Sequence, residues 1–392
     1  NDLPRSPLRL FMSHAVAYMH GSSHLNTEDA LYQTERDQDR FSEAGIRHLE
    51  SQNMMMDYVQ THDRRGDLHT GIAILQGRND PWNFFGMSSI WNQDGEKWEC
   101  NDMISSYQLF SLYYPWEVNP GEAQGGSREF SYSPYGPVDF VPIEAPMDVL
   151  GRYRLAVFLG WNTYSRTDFE HLRDFVHGGG TLIMSAAHAN ACLQPDMEPA
   201  FPEDDAPLRE MLGDDYRSLQ GKNVIPFGAG RIIFYAQKEY PSSESIREDY
   251  LAEMKAQSDL AVASEPDSGW IDAMEGVDFA IWQDGGLRTA YVIDADWYSH
   301  QPKRFRLMYG DKAFEIGVNP FEIKTIRMAE GLAACAWANT SDVLDIKKDA
   351  SGWTVTVQTA GPDRISVYLK DSGEAEDIQI ASAGIHEITF RQ

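Results

Sequence analysis

Residues 155–183 read LAVFLGWNTYSRTDFEHLRDFVHGGGTLI, and this stretch decides the fold of the middle of the chain. Its first six residues form an apolar run, which is typical of a parallel strand buried on both faces. Thr167 and Glu170 then occupy the N-cap and capping-box positions of a helix that ends at three consecutive glycines. A second apolar strand begins at Thr181. Strand, helix and strand in this order predict a doubly wound α/β domain.

The same alternation extends over residues 67–264. Apolar stretches predict one strand over 68–75 and another over 230–235, and a helix over 239–263 bridges to the following region. The glycine triplet follows a helix and opens a strand, whereas phosphate-binding loops follow a strand and open a helix. We therefore interpret the triplet as a structural turn.

Three polar residues follow the strand that begins at Thr181. His188 and Asn190 lie at the end of a parallel sheet where ligands usually bind. Cys192 has the position of an amidotransferase nucleophile, but the glycines of a nucleophile elbow are absent around it. An inert thiol is the favoured interpretation, and an amidotransferase-type enzyme is a third, weaker idea.

Residues 1–66 have the pattern of helix, short strand, acidic loop and helix. Ser6 and Pro7 open the first helix, residues 22–27 read as a strand, and the second helix covers about 38–61. One strand and two helices cannot close a core, so we expect the last strand–helix unit of a (β/α)8 barrel whose other units precede Asn1 or are supplied by another chain. The second helix is expected to turn one set of residues inward: Phe41, Ala44, His48, Leu49, Met55, Met56 and Val59.

Residues 265–392 are rich in short strands. Turn signals recur about every 8–12 residues, as in antiparallel β-sandwiches. Residues 329–344 divide the region, so two small β units are an alternative to one sandwich.

Composition limits the partners. The chain has 392 residues, a net charge of −27 and only three cysteines, without metal-site spacing. Its acidity argues against nucleic acid, and no apolar run approaches the roughly 18–20 residues that span a membrane. We expect no cofactor and no metal ion. Ten tryptophans and 18 tyrosines suit a carbohydrate ligand, although most aromatic residues pack in cores.

Two stretches carry a family resemblance. Residues 150–160 and 172–183 contain a tyrosine, a strand, a helix and a Phe-Val-x-Gly-Gly-x-Leu-like run. They look like the trimerisation domain of family 42 glycoside hydrolases, which are β-galactosidase-like enzymes. Residues 18–21 and 26–28 are similar to passages near the end of such barrels. The resemblance implies a barrel end, an amidotransferase-like α/β domain, a β domain and a homo-oligomer, with a trimer as the form known for the family.

The family's acid and nucleophile lie on earlier strands, so neither is carried over to this sequence. Chemistry is instead expected around the first predicted strand, where Glu28 is the candidate catalytic residue. The alternative roles for Glu28 are a contact with the substrate and a structural cap of the next helix. Carboxylate, imidazole and amide groups bind sugar hydroxyls, so the candidate substrate-binding residues are His20, His24, Asn26 and Asp29.

Trp82 and Trp91 are further candidate substrate contacts, because they lie in a turn-rich aromatic segment. A packed patch between domains is the alternative for both. Two functions remain open. One is the C-terminal portion of a glycoside hydrolase that acts on a β-linked oligo- or polysaccharide through paired carboxylates. The other is a non-catalytic carbohydrate-binding or oligomerisation module.

Overall fold

A computed structural model describes residues 6–24, 40–80, 109–110, 112–114, 132–193, 197–263, 269–295 and 301–390. The described residues fall into two compact units, each of which has its own core. One unit comprises the described residues of 1–69 and 265–392, and the other comprises the described residues of 70–116 and 131–264. Among the described residues, no helix combines the length and apolar character needed to cross a membrane.

The helices in chain order are α1 (Pro7–Met19), α2 (Glu43–Thr61), α3 (Met147–Leu150), α4 (Arg166–His177), α5 (Ala206–Leu212) and α6 (Arg247–Ala263). The strands are β1 (Asp67–His69), β2 (Ile72–Gln76), β3 (Asp139–Pro142), β4 (Leu155–Phe158), β5 (Thr181–Ser185), β6 (Lys222–Phe227), β7 (Gly230–Tyr235), β8 (Trp270–Ala273), β9 (Val277–Asp284), β10 (Leu287–Asp294), β11 (Lys303–Tyr309), β12 (Lys312–Val318), β13 (Ile323–Ala329), β14 (Leu332–Ala336), β15 (Asp342–Asp349), β16 (Gly352–Thr359), β17 (Asp363–Leu369), β18 (Glu374–Ile380) and β19 (Gly384–Phe390).

The α/β unit contains a mostly parallel sheet with the strand order β3-β2-β4-β5-β7-β6. All neighbouring strands are parallel except β6, which pairs antiparallel with β7. This confirms the predicted mixture of a parallel sheet and helices. The single strand predicted over 68–75 is wrong, because β1 pairs with β9 of the other unit's sheet and only β2 enters the parallel sheet.

Helix α4 shows why the opening stretch folds as it does. Phe169, Leu172 and Val176 are fully buried and cover the sheet, as their spacing along one helix face requires. The N-cap is Ser165 and not the predicted Thr167. The glycine turn is structural, since a Cβ on Gly180 would lie 2.3 Å from the Phe175 ring.

The other unit is built on an antiparallel sheet with the strand order β1-β9-β10-β13-β14-β17-β18. Sheet β12-β11-β8 packs on one face of it through a core that includes Phe279, Val292, Leu307 and Ile316. Sheet β15-β16-β19 packs on the opposite face through Leu332, Val355 and other apolar residues. The predicted β-rich C-terminal half is therefore confirmed as antiparallel sheets.

Helices α1 and α2 share a core with this antiparallel sheet. Phe11 and Met12 of α1 and Tyr58 of α2 cluster with Tyr291 and Ile293 of β10. Ser6 caps α1, because its Oγ accepts a hydrogen bond from the Arg9 amide at 3.3 Å. Residues 22–24 of the predicted strand are not in a strand, and residues 25–27 lie outside the described residues.

The predicted inner face of α2 is partly wrong. Met55 is buried as expected, but Phe41, Leu49 and Met56 are 52%, 42% and 57% exposed. The helix packs instead through a stripe of Ser51, Met55 and Tyr58. Both sides of this helix carry apolar residues, so periodicity alone could not distinguish the side that is buried here.

Candidate functional site

The parallel sheet contains a topological switch point between β2 and β4. From β2 the chain continues to β3 on one side, and it then returns to β4 on the other side. In open α/β sheets of this order, ligands bind outside the carboxyl ends of the two strands at which the direction changes. The residues that follow β2, β4 and β5 therefore form the candidate site.

Hydrogen bonds hold the three loops together at this edge. The side chain of Asn162, after β4, accepts from the Arg78 amide at 2.9 Å and donates to the His188 carbonyl at 2.7 Å. The Thr163 amide in turn donates to the Arg78 carbonyl at 3.0 Å. Gly77 allows this close approach, since a Cβ there would lie 1.9 Å from the Trp161 carbonyl oxygen. The site is consequently fixed by the fold before any ligand arrives.

Arg78 has a structural role at this edge of the sheet. Its guanidinium binds Asp168 of α4 through two hydrogen bonds, of 2.9 and 3.1 Å, and Asp168 is buried. Glu144 lies 3.6 Å from the same guanidinium. The single positive charge of Arg78 is therefore shared between two carboxylates of the fold.

Asp80 is the distinctive group of the site. Among the described residues, none forms a hydrogen bond or an ion pair with its carboxylate, although most of the side chain is buried. Gly160, after β4, leaves room for it, since a Cβ there would lie 3.0 Å from Asp80 Oδ2. Burial disfavours the charged form and raises the pKa of Asp80 to about 6. A carboxyl group that titrates near neutral pH in a crevice is a common feature of functional sites.

Aromatic residues form the interior wall. The His188 ring stacks on Phe158 with 4.7 Å between centroids, and Tyr240 meets its edge at 5.5 Å. Burial lowers the pKa of His188 to about 3, so the ring stays neutral. Its Nδ1 accepts from the Ser185 amide at 2.8 Å, which leaves the proton on Nε2. Trp161 lies 5.6 Å from Tyr240 and completes the wall.

Asn190 and Cys192 have structural roles at this edge. Asn190 Oδ1 accepts from the amides of Cys192 and Ala200 at 3.0 and 2.9 Å. The Cys192 thiol lies 3.3 Å from the Glu198 carbonyl oxygen, and no described side chain hydrogen-bonds to it. The thiol thus lacks an activating base among the described residues, which agrees with the inert interpretation.

The sequence-predicted site residues in the first 40 positions are only partly described. His20 Nε2 lies 2.8 Å from Asp278 Oδ2, which gives this histidine a structural partner on β9. His24 is exposed, with Nδ1 3.0 Å from Ser23 Oγ. Asn26, Glu28, Asp29, Trp82 and Trp91 lie outside the described residues. Only His20 and His24 of this set lie in the described part of the chain, and the roles of all seven stay predictions.

The site that the structure assembles was found only in part from the sequence. His188 and Asn190 were placed at a ligand-binding sheet edge, but Asp80 and Tyr240 were missed. The sequence does hint at Asp80, because Asn79-Asp80-Pro81 comes soon after the end of a strand. These three residues are also typical turn formers, however, and a turn is enough to explain their presence there. Within the described residues, no group of His, Cys, Asp and Glu side chains is arranged to hold a metal ion.

The sequence matches no protein-family model and no curated protein. Among solved structures, the chain is similar to a catalytic mutant of Gan42B, a GH42 β-galactosidase from G. stearothermophilus, with 13% identity and a TM-score of 0.48 over 83% of this chain and 51% of that one. It is also similar to an exo-carrageenase GH42 from Bacteroides ovatus, with 12% identity and a TM-score of 0.43 over 84% of this chain and 40% of that one.

A polyextremophilic β-galactosidase from the Antarctic haloarchaeon Halorubrum lacusprofundi is similar at 14% identity and a TM-score of 0.38, over 73% of this chain and 43% of that one. The chain thus spans about half the length of the first of these structures, or less. These neighbours are glycosidases of low sequence identity. At such values the similarity carries no conclusion about activity.

Proposed function

We propose that this chain is the C-terminal portion of a glycoside hydrolase that acts on a β-linked oligo- or polysaccharide. In this proposal, residues 1–66 complete a (β/α)8 barrel whose other strands carry the main catalytic carboxylates. Residues 67–264 are the amidotransferase-like domain, and residues 265–392 are the β-sandwich. Hydrolysis would use a carboxyl pair that flanks the glycosidic bond.

The order of folds along the chain is the observation that carries the proposal. A mostly parallel sheet is followed by antiparallel sheets, as the family resemblance implies. Residues 150–160 and 172–183, on which that resemblance rests, fold as β4, α4, a glycine turn and β5. The two antiparallel layers that enclose an apolar core support a sandwich.

A second apolar stripe on α2 supports the proposal that another part of the protein packs on this helix. Ile46, Leu49 and Met56 lie on the side of the helix opposite to the buried Met55 and Tyr58, and they are 49%, 42% and 57% exposed. Exposed apolar patches of this kind usually mark an interaction surface. In the proposed protein, the remainder of the barrel covers this stripe.

Glu28 is the residue of this chain proposed to act at the substrate, with His20, His24, Asn26 and Asp29 around it and with Trp82 and Trp91 as aromatic contacts. The test uses the protein that contains the complete barrel. Glu28→Gln removes the charge and keeps the shape, so we expect kcat/KM on aryl β-glycosides to fall at least tenfold, or about 1.4 kcal/mol. Glu50→Gln, at an exposed position of α2, is the matched control.

Wild-type kinetics in Glu28→Gln would show that Glu28 does not act at the substrate. If the complete protein hydrolyses none of the β-linked substrates, the proposed activity is refuted. The second candidate is a non-catalytic carbohydrate-binding or oligomerisation module. The paired state of His20 favours the oligomerisation alternative, because the contact with the buried Asp278 gives this histidine a role in the fold that needs no substrate.

A further inference from the structure

A cavity of about 450 Å³ lies at one end of the antiparallel unit. Two hairpin turns of the large sheet, β9–β10 and β13–β14, meet the β15–β16 hairpin there. Its volume falls within the range of about 300–1,000 Å³ that is usual for small-molecule sites. We call it the indole pocket, and six of its eight lining residues carry the argument: Asp284, Leu287, Glu330, Ile346, Lys348 and Trp353.

The inner part of the indole pocket is apolar. Leu287, Ile346 and Trp353 belong to one hydrophobic cluster of the unit. The indole is held by the turn before β14, since a Cβ on Gly331 would lie only 3.0 Å from Trp353 Cζ2. Lys348 pairs with Trp353 across the β15–β16 ladder, and its ammonium lies 4.9 Å from the indole centroid. The pocket therefore offers an apolar wall with a cation beside it.

The rim of the indole pocket carries free hydrogen-bond acceptors. Asp284 is the last residue of β9 and Glu330 lies in the β13–β14 turn, and both are exposed. Among the described residues, none pairs with either carboxylate through a hydrogen bond or an ion pair. Two other acids of this unit, Glu315 on β12 and the half-buried Asp272 on β8, do have arginine partners, so the rim carboxylates are acceptors of a kind that those two are not.

This combination matches the chemistry of a sugar ring. A pyranose offers an apolar C–H surface to aromatic and aliphatic groups and a circle of hydroxyl groups that both donate and accept. Hydrogen bonds from hydroxyl groups to ionised carboxylates are short and strong. The pocket has two carboxylates and only one ammonium group, and the whole chain has a net charge of −27. Electrostatic repulsion therefore disfavours a polyanionic ligand.

We infer that the indole pocket binds one or two units of a neutral saccharide, at a site that is independent of hydrolysis. The hydroxyl groups donate to Asp284 and Glu330 and accept from Lys348, while the ring packs against Leu287 and the edge of Trp353. Such a site would hold a polymer on the protein whether or not a catalytic barrel is present. It therefore does not depend on the proposed function.

The test measures binding to the full chain by calorimetry and by saturation-transfer NMR. The probes are lactose, cellobiose and maltose, with galacturonate and glucosamine as charged comparisons. Asp284→Ala/Glu330→Ala removes both free acceptors at exposed positions, so the fold is retained, and we expect at least tenfold weaker binding of the neutral sugar. Glu374→Ala/Glu376→Ala, on exposed positions of β18, is the control and should bind as the wild type does.

Three results would overturn the inference: no neutral probe binds, the rim variant binds as tightly as the wild type, or only a charged probe binds. Binding that is lost in the rim variant and kept in the control supports it. Hydrolysis of aryl β-glycosides is measured separately on the same variants of the protein that contains the complete barrel and should be unchanged. If that protein does not hydrolyse any β-glycoside but still binds sugar in this pattern, the proposed activity is refuted and the pocket is retained.

Discussion

His20 Nε2 and Asp278 Oδ2 lie 2.8 Å apart, and this ion pair joins the end of α1 to β9. The Asp278 side chain is 1% exposed, whereas that of His20 is 26% exposed. Burial lowers the pKa of His20, but the charge and the hydrogen bond of Asp278 outweigh burial and hold the pKa above its usual value. The N-terminal helix is thus attached to the antiparallel sheet by a contact that depends on protonation.

His20→Gln should lower the free energy of unfolding at pH 5.5 by about 1.5–3 kcal/mol, the usual value of a hydrogen bond to a charged group. A raised histidine pKa contributes stability fully below about pH 6.5, and this contribution is lost as the pH rises through the folded-state value. The difference from the wild type should therefore shrink towards pH 9 in urea titrations. His24→Gln, at an exposed position, is the control. An effect of His20→Gln that is constant with pH would contradict the ion pair.

Asp80 predicts the opposite pH dependence. Its pKa is raised to about 6, so the folded state binds this proton more tightly than the unfolded state does. Stability should fall as the pH rises from about 4 to 6, and it should stay lower above pH 6. At about 1.36 kcal/mol per pKa unit, Asp80→Asn should raise the free energy of unfolding by about 1–3 kcal/mol at pH 8 and change it little at pH 3.5.

Asp214→Asn, at an exposed position of the same unit, is the comparison for Asp80→Asn. Equal effects of the two variants at pH 8, measured by urea unfolding, would show that the Asp80 carboxylate is not desolvated. If Asp80 contacts a bound ligand, the variant would combine higher stability with lost binding, as is usual for functional residues.

The parts of the fold that were predictable depend on local sequence. Strands β4 and β5 and helix α4 follow from apolar runs and a glycine stop that lie within 30 residues of one another. The division of residues 68–75 into β1 and β2 was not predictable in this way. Leu68 pairs with Trp282, more than 200 residues away, and nothing in the apolar run marks the point at which the chain changes sheets.

The candidate site shows the same limit. His188 and Asn190 were recognised because a strand precedes them directly. Asp80 becomes unusual only through burial, and that burial depends on Gly160, which is distant in sequence. The roles proposed for Glu28 and Trp82 remain predictions, since both residues lie outside the described part of the chain.

The family resemblance also implies self-association, and we propose that the chain forms a homo-oligomer through the α/β unit. Phe140 and Val224 are 45% and 57% exposed on β3 and β6, the two edge strands of its sheet. Exposed edges with apolar residues readily pair with another chain. Light scattering at micromolar concentration should show an oligomer, and Phe140→Asp/Val224→Asp should reduce it to a monomer. A monomeric wild type would refute the proposal.

Arg327 and Asp342 form a fully buried ion pair in the antiparallel unit, with 2.9 Å between Nη2 and Oδ2 and side-chain exposures of 0% and 1%. Arg327 Nε also donates to the Val343 carbonyl at 2.9 Å. Arg327→Met leaves the Asp342 carboxylate buried without its partner, so we expect the free energy of unfolding to fall by about 3–5 kcal/mol.

Two further variants distinguish the energetic effect of the buried ion pair from that of lost side-chain packing. Arg327→Met/Asp342→Leu removes both charges and should recover most of the loss, because well-packed apolar residues can replace a buried pair at little cost. Arg304→Met breaks an exposed pair with Glu315 and should cost no more than about 1 kcal/mol. All three are measured by urea unfolding followed by circular dichroism. If Arg327→Met proves no more costly than Arg304→Met, the interior of this sheet does not hold a desolvated charge, and the layer arrangement around β13 and β15 is wrong.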